Sequence, residues 1–448
     1  MTRWVAMIWQ MTELRSRVLF TLGMLAVFRL GVHVPAPGVD RLALAELVQS
    51  NQNTMFGLYD MFSGGALQQF SVFVLGVMPY ITASIIIQVL TVVVPQLERL
   101  SKEGQQGRNT ITQYTRYATI GIALVQSYMM ALTLEGMKTG SQDVVLNAGM
   151  AFRLTTMITM TAGSCFVMWI GEQISDRGIG NGSSLIITAG IVSRLPAAIM
   201  NTIGQIQRGD IRLLPVTILL MVMIGVIAAI VWIERAQRRI PIQYAKRVVG
   251  RKVYGGQTTH LPLKINTTGV IPPIFASSVL MIPATLSTIF PDTVLAQAAG
   301  LFHSGSWLYN YSYVGLIVFF AYFYTAMMFN PVDVADNLKK HGGYIPNVRP
   351  GKQTAEYIDY LLTRLTAAGA LYMAAVCIMP TILVTAYGVP FYFGGTGLLI
   401  VVNVSLDTVA QVEAQLLTRQ YDGLQGPKPG GPVSGGRRRM MAVGGSPA

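Results

Sequence analysis

Charge is scarce in this sequence. Only 12% of the 448 residues are Asp, Glu, Lys or Arg, against roughly 25% in an ordinary soluble domain. A soluble globule of this length needs a charged skin that this chain cannot supply, so a soluble enzyme is excluded. Short alternating segments are missing too, which excludes an outer-membrane barrel. Cysteine is nearly absent: Cys165 and Cys377 both sit inside apolar runs, where they read as small buried hydrophobes and not as a disulfide or a metal pair. The four histidines, His33, His260, His303 and His341, are scattered over different connections. No His-Glu-x-x-His, Gly-x-Ser-x-Gly or Walker A pattern occurs. No catalytic residue, metal or cofactor is therefore expected. The run Gly178-Ile-Gly-Asn-Gly182 lacks the preceding strand of a nucleotide loop and reads as a tight turn entering a helix. Ionisable groups inside the apolar runs are few: Arg29 near the end of the first, and Asp407 and Glu413 late in the last, which also holds the polar Asn403. A cation-coupled transporter ordinarily needs such a group near the bilayer midplane, so that reading is weakened.

What the chain has is apolar length. AVILMFWYC residues make up 52% of it, and the mean hydropathy is +0.48. At about 20 residues per span, ten apolar segments predict an all-α polytopic membrane protein: about 18–35, 70–94, 117–136, 154–172, 184–203, 213–233, 268–288, 312–330, 366–386 and 393–412. The first is the weakest, interrupted by Arg29 and ended by Val34-Pro35-Ala36-Pro37-Gly38. It faintly resembles a signal peptide, but no Ala-x-Ala site follows, so it reads as a retained helix.

Ten spans put both termini on one side. The termini and the even connections 94–116, 173–183, 234–267 and 331–365 carry 26 of the 33 Lys and Arg residues. The positive-inside rule places all of these in the cytoplasm. The net charge of +13 is thus first a topology signal. Connection 234–267 is polar and strongly basic, and 331–365 carries Lys339, Lys340, Arg349 and Lys352. Loops of about 30 residues exceed the usual connection length and are more often functional than idle, although both also serve as ordinary topology determinants. The Gly- and Pro-rich tail from Leu424 reads as disordered.

The stretch Asp60 to Phe70 is mildly apolar, Gly-containing and too short to span. It is either an interfacial helix or a re-entrant piece folded back into the protein. The most conspicuous break along the chain follows span six. Two five-helix halves of opposite membrane orientation would form an inverted repeat.

Several long motifs then carry a resemblance. Met61-Phe-Ser-Gly-Gly-Ala-Leu67, Met78-Pro-Tyr-Ile-Thr-Ala-Ser-Ile-Ile-Ile-Gln88, Gly171-Glu-Gln-Ile-Ser-Asp-Arg-Gly-Ile-Gly-Asn-Gly182 and Thr259-His-Leu-Pro-Leu-Lys264 resemble the bacterial SecY family, as do Ala335-Asp-Asn-Leu-Lys339, Arg349-Pro-Gly351, Pro390-Phe-Tyr-Phe-Gly-Gly-Thr396 and Ala410-Gln-Val412. Members of that family are the central subunit of the Sec protein-conducting channel, and the resemblance runs from about residue 14 to 420.

The resemblance implies a clamshell of two five-helix halves around a pore, hinged between spans five and six and not after span six. The chain then divides into a cytoplasmic N-terminus (1–17), an N-terminal half (18–203), a C-terminal half (204–412) and a cytoplasmic tail (413–448). It implies a plug closing the pore (Ser63, Gly64, Gly65, Ala66, Leu67, Phe70) and an aliphatic ring at the waist (Val77, Ile81, Ile187, Ile274, Ile400). Taken singly, each ring residue reads as an ordinary core aliphatic. Spans two and seven would form a lateral gate with a polar seam: Thr82, Ser84 and Gln88 facing Thr268, Ser277 and Ser278, with Asn266 and Thr267 close by. Arg238, Arg239, Lys246, Arg247, Arg251 and Arg349 would dock the ribosome, through rRNA phosphates, or the cytosolic motor ATPase SecA. A SecE-like clamp subunit, a SecG-like subunit, signal sequences, nascent chains and membrane lipids are the other implied partners. The chain would be no enzyme itself, and would pass unfolded polypeptides outward through the cytoplasmic membrane while releasing apolar segments sideways. The rivals are an ion-coupled secondary transporter and a noncatalytic insertion scaffold.

Overall fold

The computed structural model describes residues 11–50, 60, 63–136, 138–139, 142–209, 213–244, 247–249, 252–254, 258–289, 306–387 and 395–424. Apolar runs in a bilayer must satisfy their backbone internally, which selects helices. In chain order these are α1 (Thr12–Gly31), α2 (Arg41–Ser50), α3 (Met78–Val93), α4 (Pro95–Lys102), α5 (Gln105–Gly136), α6 (Met150–Arg177), α7 (Gly182–Ser193), α8 (Leu195–Arg208), α9 (Leu213–Arg235), α10 (Ile271–Ile289), α11 (Trp307–Met328), α12 (Pro331–Lys340), α13 (Lys352–Tyr387) and α14 (Gly395–Leu424). Helix underlies each of the ten apolar segments. Among the described residues, seven helical runs are long and apolar enough to cross a membrane, or eight if the bent pair α3–α4 is one span. The short helices α7 and α8 count together as one run, Gly182–Arg208. The protein is therefore a polytopic membrane protein whose membrane-spanning segments are helices. Along α9 the large apolar side chains Leu214, Leu220, Met221, Ile224 and Trp232 are all exposed, as a lipid-facing helix requires.

Local chemistry sets the breaks. Proline stands in the first turn of α3, α4, α8 and α12, where its missing N–H costs no helical hydrogen bond. Val94, just before Pro95, is held extended (φ −98°, ψ 113°), and the chain bends by 99° between α3 and α4. Asn181 caps α7 by accepting from the Ser184 N–H (3.3 Å), and Asn330 caps α12 by accepting from the Val332 N–H (3.1 Å).

The second span differs from expectation. Its helix begins at Met78 and not near residue 70, and residues 66–77 run in turns. Positive φ at Phe70 (45°) and Gly76 (54°) is incompatible with helix there. The backbone instead bonds to the chain leaving α1: Ala36 N–H to the Phe70 carbonyl (2.7 Å) and Val72 N–H to the Val34 carbonyl (3.0 Å). Gly163 of α6 lies so close that a Cβ there would collide with the Val72 carbonyl.

The loop Gly178–Gly182 is the expected tight turn, and it is also a junction. Ile179 is buried between Leu14 of α1 and Leu416 of α14. Its N–H donates to Thr21 Oγ1 (3.1 Å), and the Gly180 N–H donates to Gln411 Oε1 (2.9 Å). Gly180 has φ +90°, and a Cβ on Gly182 would strike the Gly171 carbonyl, so side chains are excluded at both positions. Cys377 is buried and Cys165 half-buried, both as free thiols.

Strands appear where only loops were expected. Besides the small pair β1 (Lys138–Thr139) and β2 (Gln142–Asp143), connection 234–267 contains β3 (Gln237–Tyr244), β4 (Arg247–Val249), β5 (Lys252–Tyr254) and β6 (Thr258–Lys264). β3 pairs antiparallel with β6 from Gln237↔Lys264 to Gln243↔Thr258, and β4 pairs with β5 as a hairpin. On its other edge β3 accepts β7 (Gly343–Tyr344), which belongs to connection 331–365. Ile240, Leu263, Ile345, Ile358, Leu361 and Leu362 form one apolar cluster beneath this sheet. The two long basic connections are thus a single platform.

Residues 1–10 of the expected cytoplasmic N-terminus and the tail from 425 lie outside the described residues, as does most of the Pro390–Thr396 motif.

Candidate functional site

Four of the five aliphatics of the implied ring meet. Ile187 (α7), Ile274 (α10) and Ile400 (α14) belong to one buried apolar cluster, and Ile81 (α3) packs against it. These side chains come from helices far apart in sequence, so only the tertiary fold could unite them. Val77, at the N-terminal end of α3, lies in a neighbouring cluster with Phe28, Ala66 and Phe73, and Ile81 touches that cluster as well. Ile81 therefore joins the two groups.

The segment containing Asp60 and Ser63–Phe70 is folded back into the protein. Ala66, Leu67 and Phe70 are wholly buried. Leu67 and Phe70 pack with Leu75, Leu134, Val144 and Phe152. Gly64 (φ +71°) and Gly65 (φ +89°) adopt backbone conformations that favour glycine, and a Cβ on Gly64 would stand 2.7 Å from the Gly190 Cα of α7. Arg29, near the end of α1, donates from Nη1 to the Gly64 carbonyl (2.8 Å). Met61 and Phe62 lie outside the described residues.

The polar side chains of the implied seam turn inward. Thr82 donates to the Met78 carbonyl (3.0 Å), Gln88 Nε2 to Ser84 Oγ (3.3 Å), and Ser277 and Ser278 both to the Ile274 carbonyl (2.8 and 2.9 Å). Thr268 donates to Asn266 Oδ1 (3.1 Å). These bonds stay within one helix or one loop, so the expected polar ties across the seam are not the ones formed. Gln88 Oε1 is buried without a hydrogen-bond partner among the described residues.

Of the implied docking residues, Arg238 and Arg239 are exposed on β3 and Arg349 is exposed in the connection beside β7. The Arg349 carbonyl accepts from Thr354 Oγ1 (2.9 Å), which fixes the backbone at that corner. Arg247 lies on β4; Lys246 and Arg251 fall outside the described residues.

The family model for SecY matches residues 71–409. The chain belongs to the SecY family. It is 49% identical over 414 residues to the protein translocase subunit SecY of Escherichia coli K12, covering 92% of this chain and 93% of that one. The protein of the same name from Rickettsia typhi is 47% identical over 416 residues, with 92% and 96% covered. Among solved structures, one described as a protein-conducting channel aligns with a TM-score of 0.64 at 15% identity, over 92% of this chain and 94% of that one. Sec61 in a canine ribosome–channel complex aligns at 0.60 and 14%, with 92% and 94% covered. These structural likenesses show a shared fold.

Three features of this SecY-family chain escape a reading of the sequence. Glu234, at the end of α9, accepts at Oε1 from Asn266 Nδ2 (2.6 Å) and from Asn403 Nδ2 (2.9 Å), tying α9, the entry to α10, and α14. Asn403 does hydrogen-bond across helices, but Glu234 as its partner was hidden at the edge of a loop. Arg194 lies 2.8 Å from Asp60 Oδ2, although the two are far apart in sequence. The platform shared by two basic connections has no local sequence signal, because β3 pairs with β7 from the other connection.

Proposed function

We propose that this chain is the pore-forming subunit of a channel that passes unfolded polypeptides across the cytoplasmic membrane. Ten spans in two inverted five-helix halves surround the pore, with both termini cytoplasmic and apolar segments released sideways between α3 and α10. The chain supplies a path and no chemistry of its own; ATP or GTP hydrolysis belongs to its partners. Family membership supports the activity. The single observation that carries the pore assignment is the gathering of Ile187, Ile274 and Ile400 in one buried cluster, with Ile81 packed against it. An aliphatic waist suits a channel whose cargo has no fixed sequence: it seals by dewetting and yields to any chain.

A crosslinking experiment tests it. A photoreactive residue at Ile187 or Ile400 captures a secretory precursor arrested in transit, while one at the exposed Leu220 of α9 does not. Equal capture at all three positions, or none at the ring, would sink the waist. A transporter would capture no polypeptide at any of them.

The sheet platform is read as the dock, because Arg238 and Arg239 stand exposed on its central strand. Replacing both with Ala weakens ribosome binding and flattens its salt dependence by roughly one unit of log–log slope for each phosphate no longer engaged. Filter binding across a salt series measures this; an unchanged slope removes these residues from the dock. Arg349 is the residue assigned to SecA binding. A SecE-like subunit clamping the halves and a SecG-like subunit at the edge complete the assembly.

A further inference from the structure

The plug segment is fastened by charges that the waist does not need. Asp60 is 1% exposed and lies at the start of the segment. Its Oδ2 lies 2.8 Å from the Arg194 guanidinium, a charge contact without hydrogen-bond geometry, and its Oδ1 accepts from the Gln68 N–H (3.3 Å). The Asp60 carbonyl accepts from the Gly65 N–H (3.0 Å) and from Ser63 Oγ (3.2 Å). Asp60 thereby organises the backbone of the segment as well as anchoring it. Further along the segment, Arg29 of α1 grips the Gly64 carbonyl, and Gly64 itself lies flat against Gly190 of α7. Arg194 occupies the joint between α7 and α8. Among the described residues, these polar attachments all run to the N-terminal half.

We propose that Asp60, Arg194 and Arg29 form an ionic latch that holds the plug on the N-terminal half and sets how often the resting channel opens. The inference rests on the reading of residues 60–70 as a plug. Its physical basis is asymmetric. Such an ion pair adds little net stability over an apolar contact of the same shape, because Asp60 has lost its water and Arg194, 24% exposed, has lost much of its own. Removing one partner alone is costly, because the other charge stays buried without compensation. Such a pair acts less as glue than as register: it admits one docked position and penalises near misses. A purely apolar plug among the aliphatics of the N-terminal half could slide; one whose carboxylate is seated against a guanidinium cannot. When the plug leaves, Asp60 and both arginines regain water together, so release does not strand a charge. The latch therefore restrains the plug without trapping it. Arg194 and Arg29 are positioning residues, acting on the pore through the plug.

Charge exchange tests the latch, read as time-averaged ion conductance of the purified channel complex in planar bilayers. Arg194→Asp is expected to raise leak by on the order of tenfold or more, since it places two carboxylates at one buried site. The exchange Asp60→Arg with Arg194→Asp is expected to return conductance towards the parent value. Asp60→Asn, nearly isosteric and retaining the main-chain bonds of the segment, gives a smaller leak in a folded comparison. The deletion of residues 63–70 serves as the reference for a channel without a plug. A leaky deletion with silent Arg194→Asp and Asp60→Asn variants overturns the latch and leaves the plug standing. So does equal leak from Arg194→Asp and from the exchanged pair. A silent deletion overturns the plug reading itself.

Discussion

Deleting residues 63–70 turns a silent membrane into a conducting one. The deleted residues include Ala66, Leu67 and Phe70, each wholly buried, so the segment fills space inside the protein and does not decorate its surface. Ala66 shares a cluster with Val77, directly beside the aliphatic waist. Without the segment, the barrier is reduced to the waist alone, and an apolar ring gates only while it stays narrow enough to dewet. The Phe70 carbonyl accepts from Ala36 and Ser71 bridges to Pro35, so a deletion ending at residue 70 also loosens the entry to α3. The expected record is large, weakly selective conductance from the deletion and none from the intact complex, in planar bilayers at equal protein density. Silence in both, with folded protein confirmed, would remove the plug and return attention to a transporter with a closed midplane site.

The second large effect falls on stability. Glu234→Ala strands two buried amides. Asn266 and Asn403 are each 4% exposed, and both donate to the same carboxylate oxygen. Asn266 keeps a second bond, to the Gly269 carbonyl (3.1 Å), which softens its loss. A buried donor left without a partner costs about 1–3 kcal/mol, and more where the lost partner was charged. The effect is amplified by position: the three residues lie on α9, on the approach to α10, and on α14, so a single side chain ties three elements of the C-terminal half. Glu234→Gln retains an acceptor oxygen and is expected to lose distinctly less. Thermal unfolding of the purified complex in detergent reads both. A midpoint for Glu234→Ala within error of the parent would mean the amides find other partners, and would demote the network to incidental packing.

The seam between α3 and α10 shows how composition misleads when geometry is missing. Thr, Ser and Gln on two facing helices suggest hydrogen bonds between them. A hydroxyl on a helix, however, always has a carbonyl of its own preceding turn within reach, and in an apolar setting that local acceptor wins. Thr82, Ser277 and Ser278 all take it. Arg29 is a contrasting case. A basic residue at a helix end can extend to water, yet here Arg29 donates to the Gly64 carbonyl of a segment packed against it.

Sequence alone determined that this is a helical membrane protein, because too little charge and too much apolar length leave the backbone no other way to satisfy itself in lipid. It located the apolar part of each helix, but missed the polar extensions by which α5 and α13 begin well before residues 117 and 366 and α14 continues well past residue 412, and it failed at α3, where the turns of residues 66–77 are as apolar as the helix that follows. It marked the glycines of 178–182 as a turn, since positive φ and close backbone approach are written in residue type. Its ordered motifs carried the family. Tertiary structure decided everything that depends on residues meeting from afar: the gathering of Ile81, Ile187, Ile274 and Ile400 around one apolar cluster, the acceptor shared by Asn266 and Asn403, the pairing of Asp60 with Arg194, and the sheet that makes two basic connections one surface. Periodicity and propensity act over a few neighbouring residues, whereas a shared carboxylate or a cross-chain strand pair is fixed only by the packing of the whole.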